Sequence, residues 1–416
     1  MGAPVREVSP KVAEEHLAEL SRLTETAGGD VVGVLSQRIA APNPRLFIGQ
    51  GKARELKDLV ARSQADLVIF DEELSPAQGK NLEELMGVRV MDRSELILDI
   101  FATRARTREA KMQVELAQLE YLLPRLRRMW IHLSRIRGGI GLRGPGETQL
   151  ETDRRLIGAR ISDLRNKLRD VARARAIQRK GREGEYRAAL VGYTNAGKSS
   201  LLKALSGADL FIEDRLFATL DSATRTVDLG SGYHALVTDT VGFIRKLPHH
   251  LIASFRSTLE EAREADLLLH VVDSADADWE EHVEVVQEVL SDLDLLECPQ
   301  LLVFTKTDRL THDEEAILRT RIRNLEPTPA VFLSACRPET LPRLADALKA
   351  RIRARLRQLR VMVPAGDGET LAALYREGEV LRREENGSMV EMEVRLTSAD
   401  AGRLLRREGV QILAEV

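Results

Sequence analysis

Cysteine is scarce in this chain of 416 residues, and long hydrophobic runs are missing. The two cysteines, Cys298 and Cys336, lack the spacing of metal ligands, and such sparse cysteine favours a reducing cytoplasm. No apolar run approaches the roughly 18 residues that a membrane-spanning helix needs. The first residues, MGAPVREVSPK, have no apolar signal region, and Arg6 stands where a myristoylation signal requires Ser or Thr. We expect a cytoplasmic protein of two to four domains without stable membrane association.

Positive charge is concentrated in one segment of a chain whose net charge is −3. Residues 101–180 hold 20 Lys and Arg against 8 Asp and Glu, a local charge of +12. Six arginines lie between Glu120 and Glu147 with no carboxylate among them: Arg125, Arg127, Arg128, Arg135, Arg137 and Arg143. Such a stretch in an acidic protein favours a polyanionic partner, and these arginines are candidate RNA contacts. A solvated helix face would carry the same charge, so that interpretation stays open.

The pattern of apolar residues predicts a multidomain α/β protein. Residues 1–108 are predicted to form a small N-terminal α/β domain. Its predicted strands are 30–39, 66–70 and 87–91, and its predicted helices are 52–63 and 75–86.

A helical hairpin is predicted over residues 109–181, because apolar residues recur at steps of three and four on both sides of a glycine-rich break. The first helix contains Pro124, which is expected to kink it. The loop, 135–155, has five glycines and one proline between 138 and 146. Its length favours a contact surface, although a flexible turn is the alternative.

Residues 185–358 alternate between strands and helices, which predicts a doubly wound domain with a mostly parallel sheet. The predicted strands are 186–192, 224–230, 234–239, 267–273, 301–305 and 330–334. Residues 361–416 are predicted to form a small C-terminal α+β domain with a hairpin at Asn386-Gly387 and helices at 368–376 and 398–408.

The stretch GYTNAGKSS (192–200) follows the apolar run AALV and precedes a helical pattern that ends at Gly207. It fits the phosphate-loop pattern G-x-x-x-x-G-K-[ST], in the strand–loop–helix context that this pattern needs. Gly192 and Gly197 let backbone amides turn toward phosphate at the positive end of a helix. Lys198 supplies positive charge to the β- and γ-phosphates, and the Ser199 hydroxyl is a predicted Mg²⁺ ligand.

Further motifs stand at the ends of the predicted strands, where ligands bind in such sheets. In DTVGF (239–243), Asp239 is predicted to hold Mg²⁺ through water, and the Gly242 amide to meet a γ-phosphate. FATLD (217–221) offers Thr219 as a second hydroxyl for Mg²⁺.

The motifs TKTD (305–308) and SAC (334–336) predict guanine selection. The Asp308 carboxylate can accept from guanine N1–H and N2–H₂ together, whereas adenine N1 is itself an acceptor. A backbone amide of SAC is available to guanine O6. The predicted ligand is therefore GTP with Mg²⁺.

The predicted GTP contacts fall into five groups, and Lys198, Thr219 and Gly242 are the predicted catalytic residues among them. The contacts are Gly192, Tyr193, Thr194, Asn195, Ala196, Gly197, Lys198, Ser199 and Ser200; Phe217, Ala218, Thr219, Leu220 and Asp221; Asp239, Thr240, Val241 and Gly242; Thr305, Lys306 and Asp308; and Ser334, Ala335 and Cys336.

Two residues depart from the pattern of the translation-factor class of GTPases, which these motifs resemble. Thr305 replaces the asparagine that begins the guanine motif and links it to the phosphate loop, so a shorter hydroxyl is expected to link them less well. Phe243 stands where many GTPases carry a glutamine that orients the attacking water. Slow hydrolysis that awaits a partner or a reordered loop is expected, unless Phe243 is simply a core residue.

The chain resembles the HflX family of ribosome-associated GTPases, most specifically in GGIGLRGPGETQLETDRR (138–155) and also in FIGQGKARELKDLV (47–60), GYTNAGKS, FATLD and DTVGF. The resemblance implies an N-terminal α/β domain with a helical hairpin, a GTPase domain and a C-terminal module. It also implies binding to the large ribosomal subunit, a role in splitting stalled ribosomes or acting on subunits under stress, and a hairpin loop close to ribosomal RNA. Trp130 and Tyr121 are candidate stacking residues, although Tyr121 fits a core position better.

Three functions remain open at this point: a monomeric GTPase that dissociates or rescues stalled ribosomes, a GTPase that assembles the large subunit, and a slowly hydrolysing GTP switch that recruits a protein partner. None of the motifs indicates a DNA partner.

Overall fold

A computed structural model of the protein describes residues 1–5, 9–129, 145–180, 185–208, 215–247, 261–325, 328–404, 407 and 409–415. These residues form a multidomain α/β fold. The N-terminal part contains α1 (Pro10–Thr26), α2 (Gln50–Ser63), β1 (Leu67–Phe70), α3 (Pro76–Met86), β2 (Arg89–Asp92) and α4 (Arg93–Arg104). The helices α5 (Arg108–Met129) and α6 (Pro145–Lys180) follow.

The next part contains β3 (Tyr186–Gly192), α7 (Lys198–Ser206), β4 (Ala223–Gly230), β5 (Tyr233–Asp239), β6 (Leu267–Asp273), α8 (Trp279–Asp292), β7 (Gln300–Thr305), α9 (His312–Leu325), β8 (Ala330–Phe332) and α10 (Pro342–Arg353). The C-terminal part contains β9 (Arg357–Pro364), α11 (Gly368–Glu377), β10 (Glu379–Asn386), β11 (Met389–Leu396), α12 (Ser398–Leu404) and β12 (Gln411–Glu415). None of the helices within the described ranges is both long and apolar enough to cross a bilayer.

The N-terminal region is built on the parallel pair β1–β2. The Met1 amino group donates to the Ile69 carbonyl at 2.7 Å, which places the start of the chain beside β1. The strand predicted over 30–39 is wrong, because that stretch makes only isolated bridges to the short segment 1–5. The valines of this stretch favour a strand, but residues 31–34 pair with no strand within the described chain.

Helices α5 and α6 pack against each other as the apolar spacing predicts, with Leu116, Ile161 and Leu164 buried between them. Pro124 lies within α5. The predicted loop over 135–155 is too long at its C-terminal end, because α6 already begins at Pro145. Proline is well suited to a first helical turn, and the acidic residue Glu147 follows it there.

The six-stranded sheet of the central part has the order β4-β5-β3-β6-β7-β8, and only β4 runs antiparallel to its neighbour. The strands begin and end within two residues of the predicted ones. Since β3, β5, β6 and β7 are parallel, their carboxyl ends share one edge of the sheet. The phosphate loop, DTVGF and TKTD each follow one of these ends, SAC follows the adjoining β8, and FATLD precedes the antiparallel strand β4.

The C-terminal part is an antiparallel sheet of order β10-β11-β9-β12, with α11 and α12 in its connections. Its core contains Leu359, Val361, Met392 and Val394. The predicted hairpin is confirmed, with Gly387 at φ 61° in the turn.

Candidate nucleotide-binding site

The phosphate loop is shaped by three residues with positive φ. Gly192 has φ 153°, and a Cβ there would lie 2.3 Å from the Val271 carbonyl oxygen, so a larger residue does not fit. Gly197 has φ 94° at the start of α7, and Asn195 has φ 61°. This path brings the loop amides to the N-terminal end of α7, where the helix dipole favours an anion.

Lys198 is buried at the centre of this loop. Its Nζ donates to the carbonyl oxygens of Gly192 at 3.0 Å and Tyr193 at 2.9 Å. Burial lowers the pKa of Lys198 to about 8, and the charge of Lys306 acts in the same direction while Asp239 opposes it. The two carbonyls thus fix the position of the ammonium, and its lowered pKa means that it loses its proton more readily than an exposed lysine does.

The affinity for GTP is expected to fall roughly tenfold between pH 7 and pH 9, because a phosphate-binding lysine with a pKa of about 8 must regain its proton on binding. Below pH 7 Lys198 stays protonated and contributes no further change in affinity. Equilibrium titration with a fluorescent GTP analogue measures this. Lys198→Arg is the control, since a guanidinium keeps its charge at pH 9. An identical decline in both proteins would assign the effect to the nucleotide or to another group.

Ser199, Thr219 and Asp239 meet beside the loop. The Ser199 hydroxyl donates to Asp239 Oδ2 at 2.5 Å and lies 2.6 Å from the Thr219 hydroxyl. Asp239 Oδ1 is buried and has no hydrogen-bond partner among the described residues. Burial raises the pKa of Asp239, against the effect of Lys198. An unpartnered carboxylate oxygen beside two hydroxyls fits a hard divalent cation.

Gly242 closes the site on the other side. A Cβ at Gly242 would lie 2.7 Å from Thr194 Cα and 3.1 Å from Lys198 Nζ, so the backbone itself borders the phosphate position. The next residue pairs with the phosphate loop: Phe243 N donates to Gly192 O at 3.1 Å, and Thr194 N donates to Phe243 O at 2.6 Å.

Phe243 is 1% exposed and packs among core residues that include Ala189, Val191 and Leu268. Its ring therefore has a packing role in the core of the domain, which is the alternative that the sequence left open. Neither its position nor its chemistry allows it to orient a water molecule.

The guanine motif is linked to the phosphate loop despite the substitution at Thr305. The Thr305 hydroxyl donates to the Ala196 carbonyl at 2.6 Å, so threonine makes the connection that was expected to be weak. Lys306 Nζ adds a bond of 2.8 Å to the Asn195 carbonyl. The Ser334 hydroxyl donates to the Asp308 carboxylate, which joins the SAC and TKTD motifs.

The segment FATLD is held by the N-terminal part of the chain, a contact that sequence reasoning missed. Phe217 is 1% exposed and meets the Phe101 ring of α4 edge-on, with centroids 4.7 Å apart. Asp221 Oδ2 accepts from the amides of Arg106 at 3.1 Å and Thr107 at 3.3 Å, just before α5. Thr219 thus lies between two residues that are anchored on the N-terminal part.

A buried polar network forms a second connection between the two parts, and we call it the interdomain cluster. Its acidic and basic members are Glu19, Asp71, Arg93 and Lys246, with the hydroxyl of Tyr193. Arg93 pairs with Asp71 at 2.7 Å and with Glu19, Lys246 pairs with Asp71, and Tyr193 donates to Glu19. Tyr193 belongs to the phosphate loop and Lys246 follows DTVGF, so these segments are tied directly to Glu19 of α1 and to Asp71 after β1, and through both carboxylates to Arg93 of α4.

The structure also separates the candidate RNA contacts. Arg125 donates to Asp92 Oδ2 at 3.0 Å and to the Leu74 carbonyl at 3.0 Å, and its guanidinium stacks on Tyr121 at 3.4 Å. Arg125 is therefore engaged in the N-terminal core, and Tyr121, 5% exposed, is a core residue as well. Arg127 and Arg128 lie in the last turn of α5. Trp130, Arg135, Arg137 and Arg143 fall outside the described residues.

Comparison with known proteins agrees with this organisation. Residues 14–102 match the family described as "GTP-binding GTPase N-terminal", residues 104–182 match "GTP-binding GTPase Middle Region", and residues 187–306 match "50S ribosome-binding GTPase".

Curated relatives include two bacterial proteins named GTPase HflX. That of Caldanaerobacter subterraneus is 46% identical over 391 residues, covering 93% of this chain and 89% of the relative. That of Escherichia coli K12 is 44% identical over 402 residues, covering 95% and 92%. A solved GTP-binding protein of Sulfolobus solfataricus in complex with GDP is 25% identical, covers 83% of this chain and 99% of that chain, and has a TM-score of 0.43. At the identities and coverages of the two HflX relatives, the chain belongs to the HflX family of GTPases.

Proposed function

We propose that this protein is a Mg²⁺-dependent GTPase that binds the large ribosomal subunit and dissociates or rescues stalled ribosomes under stress. The observation that carries the proposal is the anchoring of Phe217 and Asp221 on the N-terminal part, with Thr219 between them. A γ-phosphate that engages Thr219 acts on a segment attached to the part of the chain that bears the helical hairpin. The nucleotide can thereby change how the hairpin is presented to a ribosome.

In this proposal Ser199 and Thr219 hold Mg²⁺ directly, and Asp239 holds it through water. Bound Mg²⁺ would neutralise charge on the β- and γ-phosphates. Lys198 would turn its ammonium from the loop carbonyls to the phosphate oxygens, and the Gly242 amide would donate to the γ-phosphate. Asp308 would select guanine, with Ser334 orienting its carboxylate.

Slow intrinsic hydrolysis follows from Phe243. Water attack on the γ-phosphorus needs an oriented water molecule, and an apolar ring that is buried in the core supplies no hydrogen bond. We propose that the large subunit stimulates hydrolysis by completing or reordering the site. The measurement is the hydrolysis of GTP and of ATP, each with and without purified large subunits. Stimulation of GTP hydrolysis by large subunits supports this proposal, and its absence favours a switch that recruits a protein partner.

RNA binding is proposed for the hairpin through Arg127, Arg128, Arg135, Arg137 and Arg143, without Arg125. Contacts of arginine to phosphate make affinity depend steeply on salt, with a log–log slope of about −0.7 to −0.9 per phosphate neutralised. Subunit assembly and ribosome rescue both involve ribosomal RNA as the partner, so the charge of the hairpin does not distinguish these two functions. Polysome profiles after heat shock, with and without the protein, do separate them: accumulated stalled ribosomes indicate rescue, and accumulated subunit precursors indicate assembly.

Replacing Arg135, Arg137 and Arg143 together with glutamate is expected to abolish cosedimentation with large subunits and leave GTP affinity intact, because repulsion replaces phosphate contact at the hairpin tip. Arg165, Arg169 and Arg173 on α6 provide a matched control: the same three changes alter net charge equally at positions more distant in sequence from the tip. If the variant at Arg135, Arg137 and Arg143 still cosediments and the variant at Arg165, Arg169 and Arg173 does not, the RNA contact lies at the base of the hairpin.

A further inference from the structure

The cavity that borders the phosphate loop contains one charged side chain that has no role so far. It measures about 40 Å³ and is enclosed by the loop, by the FATLD segment and by Gly242. Among its described lining residues, two are cationic: Lys198 and Arg215. Lys198 is the phosphate-loop lysine. Arg215 stands two residues before FATLD and belongs to none of the nucleotide motifs.

Four other polar side chains around this cavity already have partners. Ser199 and Thr219 bond to each other, and Ser199 donates to Asp239. The Thr194 hydroxyl accepts from the Phe217 amide at 2.8 Å, and the Thr240 hydroxyl donates to a β3 carbonyl at 2.7 Å. These hydrogen bonds hold the residues that line the cavity, so few polar side chains there are free to bond to the reacting groups.

Arg215 differs in both exposure and anchoring. The residue is exposed, and its guanidinium makes no hydrogen bond or ion pair with the part of the chain that the structure describes. The two residues after it are fixed: Leu216 is 6% exposed and Phe217 is 1% exposed, both in the cluster shared with α4. Arg215 therefore has a positioned backbone and a free, long, charged side chain at the mouth of the phosphate cavity.

We propose that Arg215 is a catalytic residue for GTP hydrolysis, acting as an arginine supplied in cis. This inference rests on the proposed GTPase function. Water attacks the γ-phosphorus, the bond from that phosphorus to the β–γ bridging oxygen breaks with its electron pair going to GDP, and the water proton passes to a phosphate oxygen. The Arg215 guanidinium donates to the γ-phosphate and bridging oxygens, where negative charge accumulates in the transition state.

The position of Arg215 also explains how an N-terminal part without a catalytic group can control hydrolysis. Leu216 and Phe217 set the direction of the preceding residue, and their packing partners include Phe101 on α4. A change in the docking of α4 moves the anchor of Arg215. Contact between the hairpin and a ribosome can therefore be passed to the phosphate site through one short segment.

Arg215→Ala is expected to slow single-turnover GTP hydrolysis by at least 100-fold in the presence of large subunits, below the roughly 10³–10⁵-fold effect of arginine fingers in general. The dissociation constants of GTP and GDP should change by less than about threefold, because the contact forms mainly in the transition state. The affinity for aluminium fluoride in the presence of GDP, a mimic of the transferring phosphoryl group, should fall with the rate. Arg215→Lys should be intermediate, since it keeps the charge and loses the bidentate fork.

Arg225→Ala is the matched control: it removes an arginine ten residues further on, whose guanidinium bonds to the Thr224 carbonyl in β4. Partial recovery of Arg215→Ala by millimolar guanidinium would separate a chemical role from a folding defect. An unchanged rate in Arg215→Ala, or a rate that falls only as far as GTP affinity falls, overturns the assignment and leaves the GTPase function standing. A wild-type protein that hydrolyses no GTP under any condition overturns both.

Discussion

Replacing Arg93 with methionine is expected to lower the free energy of unfolding by about 3–5 kcal/mol, the cost of breaking a buried ion pair. Arg93 is 2% exposed and stands between two carboxylates, Glu19 at 1% and Asp71 at 2% exposure. Methionine fills a similar volume but leaves both carboxylates without their main counter-charge. Urea unfolding monitored by circular dichroism of the backbone measures the change in the free energy of unfolding. Limited proteolysis at α1 reports loss of the interdomain cluster.

This loss should depend on pH in a defined direction. In the wild-type protein burial opposes ionisation of Asp71, yet the charges of Arg93 and Lys246 hold its pKa below the ordinary value. Without Arg93 the pKa rises, so the ionised carboxylate destabilises the folded state above the ordinary pKa. As pH falls through the raised pKa the carboxylate takes up a proton, and the difference from wild type should shrink.

Arg89→Met is the matched control, because Arg89 pairs with Glu95 at 2.6 Å while its side chain is 59% exposed. An exposed pair contributes about 0–1 kcal/mol, so this variant should remain close to wild type. A triple variant, Glu19→Gln with Asp71→Asn and Arg93→Met, should recover part of the loss since no buried charge remains unpaired. If Arg93→Met and Arg89→Met behave alike, the interdomain cluster does not hold the two parts together.

The two connections between the N-terminal part and the GTPase domain differ in kind. One is apolar, through Phe101 and Phe217, and it acts on the segment that carries Thr219. The other is ionic, through Arg93 and Lys246, and it acts on the segment that follows Gly242. In the proposed site these two segments contact the γ-phosphate, so both connections would respond to the same group. This arrangement supports a coupling between nucleotide and hairpin that needs no long chain of intermediate residues.

Much of the GTPase domain could be predicted because its chemistry is local. The strands β3, β6 and β7 are mostly apolar, and the phosphate loop, DTVGF, TKTD and SAC each follow the end of a strand, so pattern and position agree. The neighbouring positions of Ser199 and Asp239 follow from the parallel pair β3–β5, whereas Thr219 is predicted by the FATLD motif alone. Phe243 and Thr305 illustrate what local pattern leaves open: only packing showed that the first is a core residue and that the second bonds to Ala196.

The docking of the two parts could not be predicted, because it depends on contacts between residues that lie far apart in sequence. Phe101 and Phe217 are separated by more than a hundred residues, and neither belongs to a periodic pattern that indicates its partner. The same reason explains the error at 30–39, where β-branched residues favour a strand but a pairing partner is needed to form one. The charge of Arg125 favours an RNA contact, and its partly buried ion pair with Asp92 is not visible in the sequence.

Asp308→Asn is expected to weaken GTP binding by roughly 10²–10⁴-fold, because one hydrogen bond to a charged acceptor is lost at about 1.5–3 kcal/mol and a guanine donor is left unpaired at about 1–3 kcal/mol. The substitution replaces an acceptor oxygen with an amide that donates. Xanthine carries a carbonyl oxygen at C2 where guanine carries an amino group, so the variant should bind xanthosine triphosphate more tightly than GTP.

Competition against a fluorescent nucleotide measures both affinities with GTP, ATP and xanthosine triphosphate. Asp313→Asn, an exposed carboxylate on the following helix α9, should leave all three unchanged. The Ser334 hydroxyl can rotate to accept from the new amide, so the base site keeps its shape and the exchange tests hydrogen-bond direction alone. The predicted change of preference from GTP to xanthosine triphosphate follows from the Asp308 carboxylate and from no other group in the motif. A variant that still prefers GTP, or a wild-type protein that binds ATP as well as GTP, would therefore show that Asp308 does not select the base.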